Sequence, residues 1–501
     1  MKNIIFKNEV SVMKENSLVR IVETKLENFK NVNYGDIKFV NYSNAEYRAE
    51  LKESDINGIY GQNGSGKTAI IEAFDILQHI MSGNTISYDE YEGMFNDDKR
   101  MKISTVFYIE SGEKKYKAQY ELLLMKNKDE KMIQVDSENI IYWQRGRLWK
   151  KERNVSFRNP YYNTQSILDN VPTHIESKDA SAISKIHFFD SVQTLAVFCA
   201  QKNVSLYFND VINKSLQEKD QNEDELAFSD VIKALFDFAR MRFQVVKVNQ
   251  LGVNYSNTFI PVNVHTESEN EITQGCIPLF INGRGEFPEE IYNKLEKIVA
   301  AINIALKSII PNLSIELVKT NEETNKDGIN VVQVEVYSNR DGKRFLTKYE
   351  SEGIKRIISL LNYLISLYNN PGVCLVVDEL DAGIFEYLLG ELIGVLAEEA
   401  KGQLIFTSHN LRIMEKLDKK NIICSTINPE NRYISLKGIE KTHNRRDFYI
   451  RTIVLGGQKE KLYDDTDLQD MGYAFRKAGN MEENNVKIPF SEEFMKLLKN
   501  S

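Results

Sequence analysis

The sequence predicts an α/β fold, and three transitions from an apolar run to a turn predict it. The runs are INGIY (56–60), VCLVV (373–377) and QLIFTS (403–408). Short apolar runs bounded by turns are typical of strands buried on both faces of a parallel sheet. The first run leads into TAIIEAFDILQHIM (68–81), whose apolar residues recur at helical spacing. We therefore expect a largely parallel sheet covered by helices.

The other elements are predicted in chain order. Strands are expected over 19–32 and from Asp36 onward, separated by a turn at Tyr34–Gly35, and alternation over 101–124 indicates a hairpin. The helices expected from apolar spacing lie near 184–200, 228–243, 289–310, 353–368 and after Phe385. In the tail, the β-branched and aromatic run FYIRTIVL (448–455) is typical of a strand.

Composition sets limits on function. A length of 501 residues predicts two or three structural units. The net charge of -8 argues against a protein coated in nucleic-acid-binding charge. The cysteines are widely spaced without a C-x-x-C pair, so neither a disulfide framework nor a zinc site is predicted. We find no secretory signal and no membrane-spanning run, so a cytoplasmic location without a membrane partner is expected.

The strongest motif is GQNGSGKT (61–68), which satisfies the phosphate-binding pattern G-x-x-x-x-G-K-[ST] in full. Phosphate oxygens need several converging N–H donors, and glycine lets the backbone curl tightly around them. Lys67 is expected at the β- and γ-phosphates of ATP, and the Thr68 hydroxyl at Mg²⁺. The residues predicted to bind the nucleotide here are Asn63, Gly64, Ser65, Gly66, Lys67, Thr68 and Ala69.

An acid pair is predicted to complete the chemistry. The run VCLVV ends at Asp378 and Glu379. Asp378 is expected to hold the metal, and Glu379 to polarise the attacking water. Such pairs are also common at solvated helix starts, so this interpretation depends on the neighbouring motifs.

Three neighbouring motifs support the acid pair. Ser351-Glu352-Gly353 opens a helix whose N–H groups could bind the γ-phosphate held by a second copy, although Ser351 could also act only as a helix cap. The segment LDAG (380–383) follows the pair directly. The run QLIFTS then leads to His409. A lone histidine is more often structural, but this order and spacing favour a γ-phosphate contact.

Together these motifs resemble the ABC ATPases of the branch containing RecF, SMC, Rad50 and OLD-type proteins. The matching segments are ENFKNV (27–32), GQNGSGKT (61–68), ESEGIKR (350–356), LVVDELDAG (375–383) and FTSHN (406–410). The resemblance implies a P-loop NTPase of ABC-ATPase type, with a split head of mixed sheet and helices and an inserted, mainly helical α+β region. It implies an N-terminal head part at 1–127, an insertion at 128–299, a C-terminal head part at 300–430 and a tail at 431–501.

The resemblance also implies cofactors, roles and a partner. ATP and Mg²⁺ are the cofactors, and the partner is a second copy in a homodimer or a higher homo-oligomer. The implied roles are catalysis for Lys67, Glu379 and His409, metal binding for Thr68 and Asp378, a signature reaching across the dimer for Ser351 and Gly353, and a D-loop contact for Asp381. The signature reads ESEGI where transporters of the superfamily have LSGGQ. No Q-loop glutamine can be assigned, since neither Gln119 nor Gln134 has a distinguishing context.

The chain is similar to the compact members of this branch. It has no sustained heptads and no C-x-x-C hook, and only about 90 residues follow His409, which is short for an OLD-type nuclease domain. An acid cluster in the tail is interpreted as a solvated helix start rather than as nuclease metal ligands. Its members are Asp464, Asp465, Asp467 and Asp470, next to a capping box at Thr466–Gln469.

Three functions stay open. The preferred hypothesis is an ATPase that controls a separately encoded effector, a nuclease or toxin, as its likeness to stand-alone ATPases of bacterial anti-phage systems implies. The second is a RecF-like repair ATPase that binds DNA directly. Its support is a basic run that could equally be a solvated loop: Lys150, Lys151, Arg153 and Arg158. The third is a nucleotide-gated scaffold without turnover, against which Glu379 argues.

Overall fold

The computed structural model describes residues 17–39, 55–97, 99–145, 153–158, 198–210, 223–248, 259–267, 272–281, 283–324, 330–438, 444–464 and 467–483. The chain divides into two units, residues 1–462 and 463–501. Residues 184–197 of the helix expected at 184–200 and part of the basic run at 150–158 lie outside the described residues, whereas residues 198–200 are helical as expected.

The strands are β1 (Leu18–Phe29), β2 (Val32–Lys38), β3 (Asp55–Tyr60), β4 (Met101–Ser111), β5 (Lys114–Asn127), β6 (Met132–Gln144), β7 (Arg153–Arg158), β8 (Phe243–Val246), β9 (Phe259–Glu267), β10 (Ile272–Phe280), β11 (Gly285–Pro288), β12 (Leu313–Thr324), β13 (Asn330–Arg340), β14 (Lys343–Leu346), β15 (Cys374–Val377), β16 (Gln403–Thr407), β17 (Ile422–Ser425) and β18 (Tyr433–Ser435).

The helices are α1 (Lys67–Met81), α2 (Tyr88–Tyr91), α3 (Glu223–Met241), α4 (Glu289–Ile309), α5 (Glu352–Asn369), α6 (Glu386–Glu399), α7 (Leu411–Lys416), α8 (Arg445–Leu455) and α9 (Leu468–Glu483).

The central sheet contains the three apolar runs that predicted the fold. Its strand order is β18-β17-β3-β16-β15-β8. All neighbouring pairs are parallel except β17 with β18. Strands β3, β15 and β16 are buried along their whole length, because helices cover both faces of the sheet. The α/β prediction and the helix after the first run are therefore confirmed.

The described residues form three further sheets, one of them the two-stranded antiparallel pair β9-β10. Strands β2-β1-β4-β5-β6-β7 form an antiparallel sheet that includes the expected hairpin. Strands β11-β13-β12, with β14 against β13, form the third. Buried residues of α4, α5 and this third sheet make one continuous hydrophobic cluster, which fixes α5 in place. Within the expected insertion, the described residues contribute several strands as well as helices, and β8 is an edge strand of the central sheet.

The predicted turn at Tyr34–Gly35 is wrong. Strands β1 and β2 are joined at Lys30–Asn31, with Phe29 opposite Val32. Gly35 lies inside β2, where an added Cβ would come within 2.5 Å of the Tyr433 ring. This glycine therefore permits a close approach between elements and does not make a turn.

The strand predicted at 448–455 is also wrong, because this segment belongs to helix α8. The Asn444 side chain accepts hydrogen bonds from the backbone N–H groups of Arg446 and Asp447. This N-cap starts the helix upstream of the β-branched run, and it outweighs the weak strand preference of that run. The tail helix α9 forms as expected, and Asp467 caps it by accepting from Gln469 and Asp470. Asp465 and Thr466 lie outside the described residues.

Along the described segments, no helix is both long and apolar enough to cross a membrane.

A buried carboxyl group gives the fold a pH-dependent term. Glu138 on β6 is almost completely inaccessible to solvent, and Ser205 Oγ donates to its Oε2 at 3.0 Å. Burial raises the pKa of Glu138 from 4.5 to about 7. The folded chain therefore binds this proton more tightly than the unfolded chain, and stability decreases as the pH rises from about 4.5 through 7.

We expect Glu138→Gln to remove this decrease, because the amide keeps the shape of the protonated acid and never ionises. The variant should match the wild type near pH 5 and be more stable above pH 7.5, by up to about 3 kcal/mol. Urea unfolding at both pH values measures the difference. Glu286→Gln, at an exposed position on β11, is the matched control. A difference that does not change with pH would contradict the assignment.

Candidate nucleotide site

The motif residues meet at one edge of the central sheet. Strand β3 leads into the glycine-rich loop, β15 into Asp378 and β16 into Ser408 and His409. These strands are adjacent and parallel, so their carboxyl ends share an edge. Lys67 accordingly interacts electrostatically with Asp378, Glu379 and Asp381. The structure thus brings the two distant parts of the predicted site together.

Two glycines of the glycine-rich loop adopt a left-handed backbone conformation. Gly64 and Gly66 adopt positive φ angles of 76° and 88°, which side chains disfavour. Gly66 is the N-cap of α1, so the positive end of that helix dipole adjoins the loop. Lys67 Nζ donates to the carbonyls of Gly61 and Gln62 at 2.8 Å each. Burial lowers the pKa of Lys67, and the nearby carboxylates oppose that shift.

Residues from the C-terminal strands support this loop from behind. Tyr433 Oη donates to the Gly66 carbonyl at 2.6 Å. The hydroxyls of Ser65 and Ser425 are 2.5 Å apart. Arg432 packs against Gly66, and its guanidinium donates to the carbonyl of Asn31, in the segment ENFKNV (27–32). Sequence reasoning missed these contacts, because residues 425–433 contain no motif and reach the loop only through the fold.

The acid pair is held by one threonine. Asp378 is buried, and Thr407 Oγ1 donates to its Oδ1 at 2.6 Å. Thr407 Oγ1 in turn accepts a hydrogen bond from the Glu379 backbone N–H at 2.7 Å. Glu379 has a φ of +43°, a left-handed conformation that costs a non-glycine residue about 1–2 kcal/mol. The strand end and Thr407 together therefore fix a strained backbone at the predicted base.

The signature (Ser351–Gly353) and the D-loop (Leu380–Gly383) lie against each other. Ser351 caps α5 by accepting a hydrogen bond from the Ile354 backbone N–H. The capping interpretation is therefore confirmed, and the phosphate contact of Ser351 stays a prediction. A Cβ added to Gly353 would lie 2.0 Å from the Gly383 carbonyl oxygen. Only glycine permits this contact, so the first turn of α5 packs directly against the D-loop backbone.

His409 is tied to the D-loop. Its backbone N–H donates to Asp381 Oδ2 at 3.2 Å. The residue is exposed overall. Partial desolvation of the imidazole is the larger cause, and the positive charge of Lys67 the smaller one, that lower the pKa of His409 below its ordinary value. The imidazole is therefore neutral near pH 7 and has one ring N–H to donate.

The donor set fits a magnesium–nucleotide complex. Thr68 and Asp378 offer a hydroxyl and a carboxylate oxygen, which Mg²⁺ prefers, and the ion normally keeps water and phosphate ligands as well. In the described parts of the chain, no group of three or more histidine, cysteine or acidic residues could hold a metal on its own.

The two glutamines considered for the Q-loop bond to neighbouring side chains in the N-terminal sheet. Gln119 donates to Ser104 and Glu121 at 3.0 Å each, and Gln134 donates to Glu130 at 2.8 Å. By contrast, β8 ends beside the acid pair, since Asp378 N donates to the Val246 carbonyl at 2.9 Å. No Q-loop residue is assigned.

A family model described as "AAA domain, putative AbiEii toxin, Type IV TA system" matches residues 56–415. The chain belongs to this family. Its fold is that of a P-loop NTPase of the ABC-ATPase type, as the motifs predicted. The matched range contains the glycine-rich loop, the signature, the acid pair and His409.

Among solved structures, the chain is similar to an Smc head domain with an extended coiled coil, bound to the C-terminal domain of ScpA, from Pyrococcus furiosus. The two are 14% identical with a TM-score of 0.37, and the match covers 84% of this chain and 96% of that one. It is similar to the SMC head domain from Thermotoga maritima at 12% identity and a TM-score of 0.29, covering 84% and 100%. The recombination mediator RecF with ATP is 15% identical, with a TM-score of 0.29 and coverage of 78% and 94%. No curated protein sequence matches the chain.

We expect Thr407→Val to lower ATP turnover at saturating ATP by about 10- to 100-fold, because it leaves Asp378 and the Glu379 N–H without their shared partner, at a cost of about 1–3 kcal/mol. Thr407→Ser keeps the hydroxyl and should stay close to the wild type. Phosphate release and nucleotide binding are measured side by side. Equal turnover in the valine and serine variants would contradict this role.

Proposed function

We propose that this chain is an ATPase that binds Mg²⁺–ATP between two copies and uses hydrolysis to control a separately encoded effector in antiviral defence. The observation that carries the proposal is the meeting of the glycine-rich loop, the acid pair and His409 at one sheet edge. These are a phosphate cradle, a metal ligand with a base, and a γ-phosphate donor, which together suffice for phosphoryl transfer to water.

In this proposal each group has a separate role at the phosphates, the metal or the attacking water. Backbone N–H groups from Asn63 to Ala69 and the Lys67 ammonium bind the β- and γ-phosphates. Thr68 and Asp378 would hold Mg²⁺, which would supply positive charge opposite the phosphates. Glu379 accepts a proton from the attacking water, and neutral His409 donates to a γ-phosphate oxygen.

Exposed aromatic residues beside the signature support a second copy as the partner. Tyr349 is 71% exposed, Phe385 72% and Tyr387 57%, and they flank Ser351 and the D-loop in sequence. Large aromatic residues are enriched in protein interfaces, where burial of their rings contributes much of the affinity. The N-terminus of α5 with Ser351 is also exposed, as binding to a phosphate on another molecule would require.

The effector is inferred from the family. Its description names a putative toxin of a type IV toxin–antitoxin system, which supports coupling of this ATPase to a toxic activity. A nuclease or toxin encoded nearby is therefore the proposed partner. The alternative is a RecF-like ATPase that binds duplex DNA by itself.

We expect Glu379→Gln to lower turnover by at least about 100-fold, the usual contribution of a general base, with little effect on ATP binding. Because ATP then persists, the variant should accumulate as a dimer with Mg²⁺–ATP. Phosphate release and light scattering after gel filtration measure both effects. Glu398→Gln, at an exposed position near the C-terminal end of α6 and away from Phe385 and Tyr387 in sequence, is the control. Wild-type turnover in the Glu379 variant would remove it from the mechanism.

The Glu379→Gln variant also tests the effector. The product of the neighbouring reading frame should co-purify with this ATP-bound form to a different extent than with Lys67→Ala, which cannot hold the phosphates. If neither form retains the neighbour, and the chain alone binds duplex DNA with a steep salt dependence, the RecF-like alternative is correct and the effector proposal fails.

A further inference from the structure

A buried arginine lies beside the acid pair, outside the residues predicted for the site. Arg356 on α5 is completely shielded from solvent. Burying a charged side chain is costly unless hydrogen bonds and opposite charges compensate. Its position therefore requires an explanation.

The compensation comes mainly from the acid-pair segment. Arg356 Nη2 donates to the backbone carbonyls of Asp378 and Glu379, at 2.9 and 3.3 Å. Among the described residues, its buried Nε and Nη1 have no hydrogen-bond acceptor. Burial lowers the pKa of Arg356 to about 10, while Asp378, Glu379 and Asp381 oppose that shift. The guanidinium is thus still charged at neutral pH, and it faces the carboxylates proposed for catalysis.

The two carbonyls bracket the strained position. Glu379 has a positive φ, and such a conformation persists only when its surroundings over-determine it. Thr407 binds the Glu379 N–H from strand β16. Arg356 binds the carbonyls on either side of that residue's backbone from helix α5. The segment is therefore clamped from two separate elements.

Helix α5 also begins at the signature. Arg356 follows Ser351 by five residues, about 7.5 Å along the helix axis. A helix transmits small displacements as a rigid body, so any shift of α5 at its N-terminus reaches the Asp378–Glu379 backbone through this guanidinium. The Gly353–Gly383 contact ties the same helix to the D-loop.

We infer that Arg356 is a positioning residue for hydrolysis, which holds Glu379 in its left-handed conformation and links the base to the seating of the signature helix. The inference rests on the proposed ATPase function. A residue with only a structural role would lower stability without acting through Glu379, and the following experiment separates the two.

The experiment compares Arg356→Met, Arg356→Lys, Glu379→Gln and the double variant Arg356→Met/Glu379→Gln by single-turnover hydrolysis and nucleotide binding. We expect Arg356→Met to lower kcat at least 30-fold and to change the Kd for Mg²⁺–ATP less than threefold. The lysine variant should be intermediate, because an ammonium keeps the charge but lacks the planar fork. In the Glu379→Gln background the methionine substitution should lower residual turnover less than twofold, since residues that act through one group are not additive.

Arg20→Met is the matched control. Arg20 is also a buried arginine, but it pairs with Asp55 at the start of β3, the opposite end of that strand from the glycine-rich loop. It should lower stability and leave kcat of the folded protein near the wild-type value. Loss of kcat equal to that of Arg356→Met would overturn the inference, as would additive losses in the double variant.

Hydrogen exchange supplies a readout that does not need turnover. In Arg356→Met, or in Arg356→Lys if the first does not fold, the amides of Glu379 and Leu380 should exchange at least tenfold faster than in the wild type, while peptides of the glycine-rich loop remain unchanged. Unaltered exchange at Glu379 and Leu380 would overturn the inference. A wild type that exchanges normally but hydrolyses no ATP would instead overturn the proposed function.

Discussion

The parallel pairing of β3, β16 and β15 is the constraint on which the rest of the structure depends. Parallel strands present all their carboxyl ends at one edge, and ligands of open α/β sheets bind there. A chain that places its phosphate loop, its acids and its histidine at the ends of these strands assembles a site from segments that are more than 300 residues apart in sequence. A one-residue shift in this register would misplace every functional group at the edge.

Around that edge, short polar contacts convert a strand end into a defined geometry. Thr407 binds both the side chain of Asp378 and the backbone of Glu379, so the proposed metal ligand and the proposed base share one support. Tyr433 and Ser425 support the glycine-rich loop in the same manner. Without these supports the acid pair and the glycine-rich loop would lose their relative positions, since a carboxylate on an unsupported turn samples several orientations.

The sequence was sufficient for three strands of the central sheet, β3, β15 and β16, and for the motif residues at their ends, because each of these has a local signal: an apolar run, glycine spacing or an acid at a strand end. It was insufficient where partners come from distant segments. Gly35 looks like a turn residue, yet it serves a close approach to Tyr433. The run 448–455 has strand composition, yet the cap at Asn444 makes it a helix. Arg356 ends the matching segment ESEGIKR, yet no role was predicted for it, because its partners are backbone carbonyls of another element.

The contacts of the D-loop explain how the site could respond to its neighbour. Asp381 binds the backbone of His409, Gly383 touches Gly353 of the signature helix, and Arg356 on that helix binds the carbonyls of the acid pair. The groups proposed to contact a γ-phosphate and those proposed to contact a second copy therefore belong to one contact network. Packed interfaces of this kind switch between discrete arrangements and do not deform continuously. Engagement of the signature would then act on Glu379 directly, so that hydrolysis depends on assembly of the complete site.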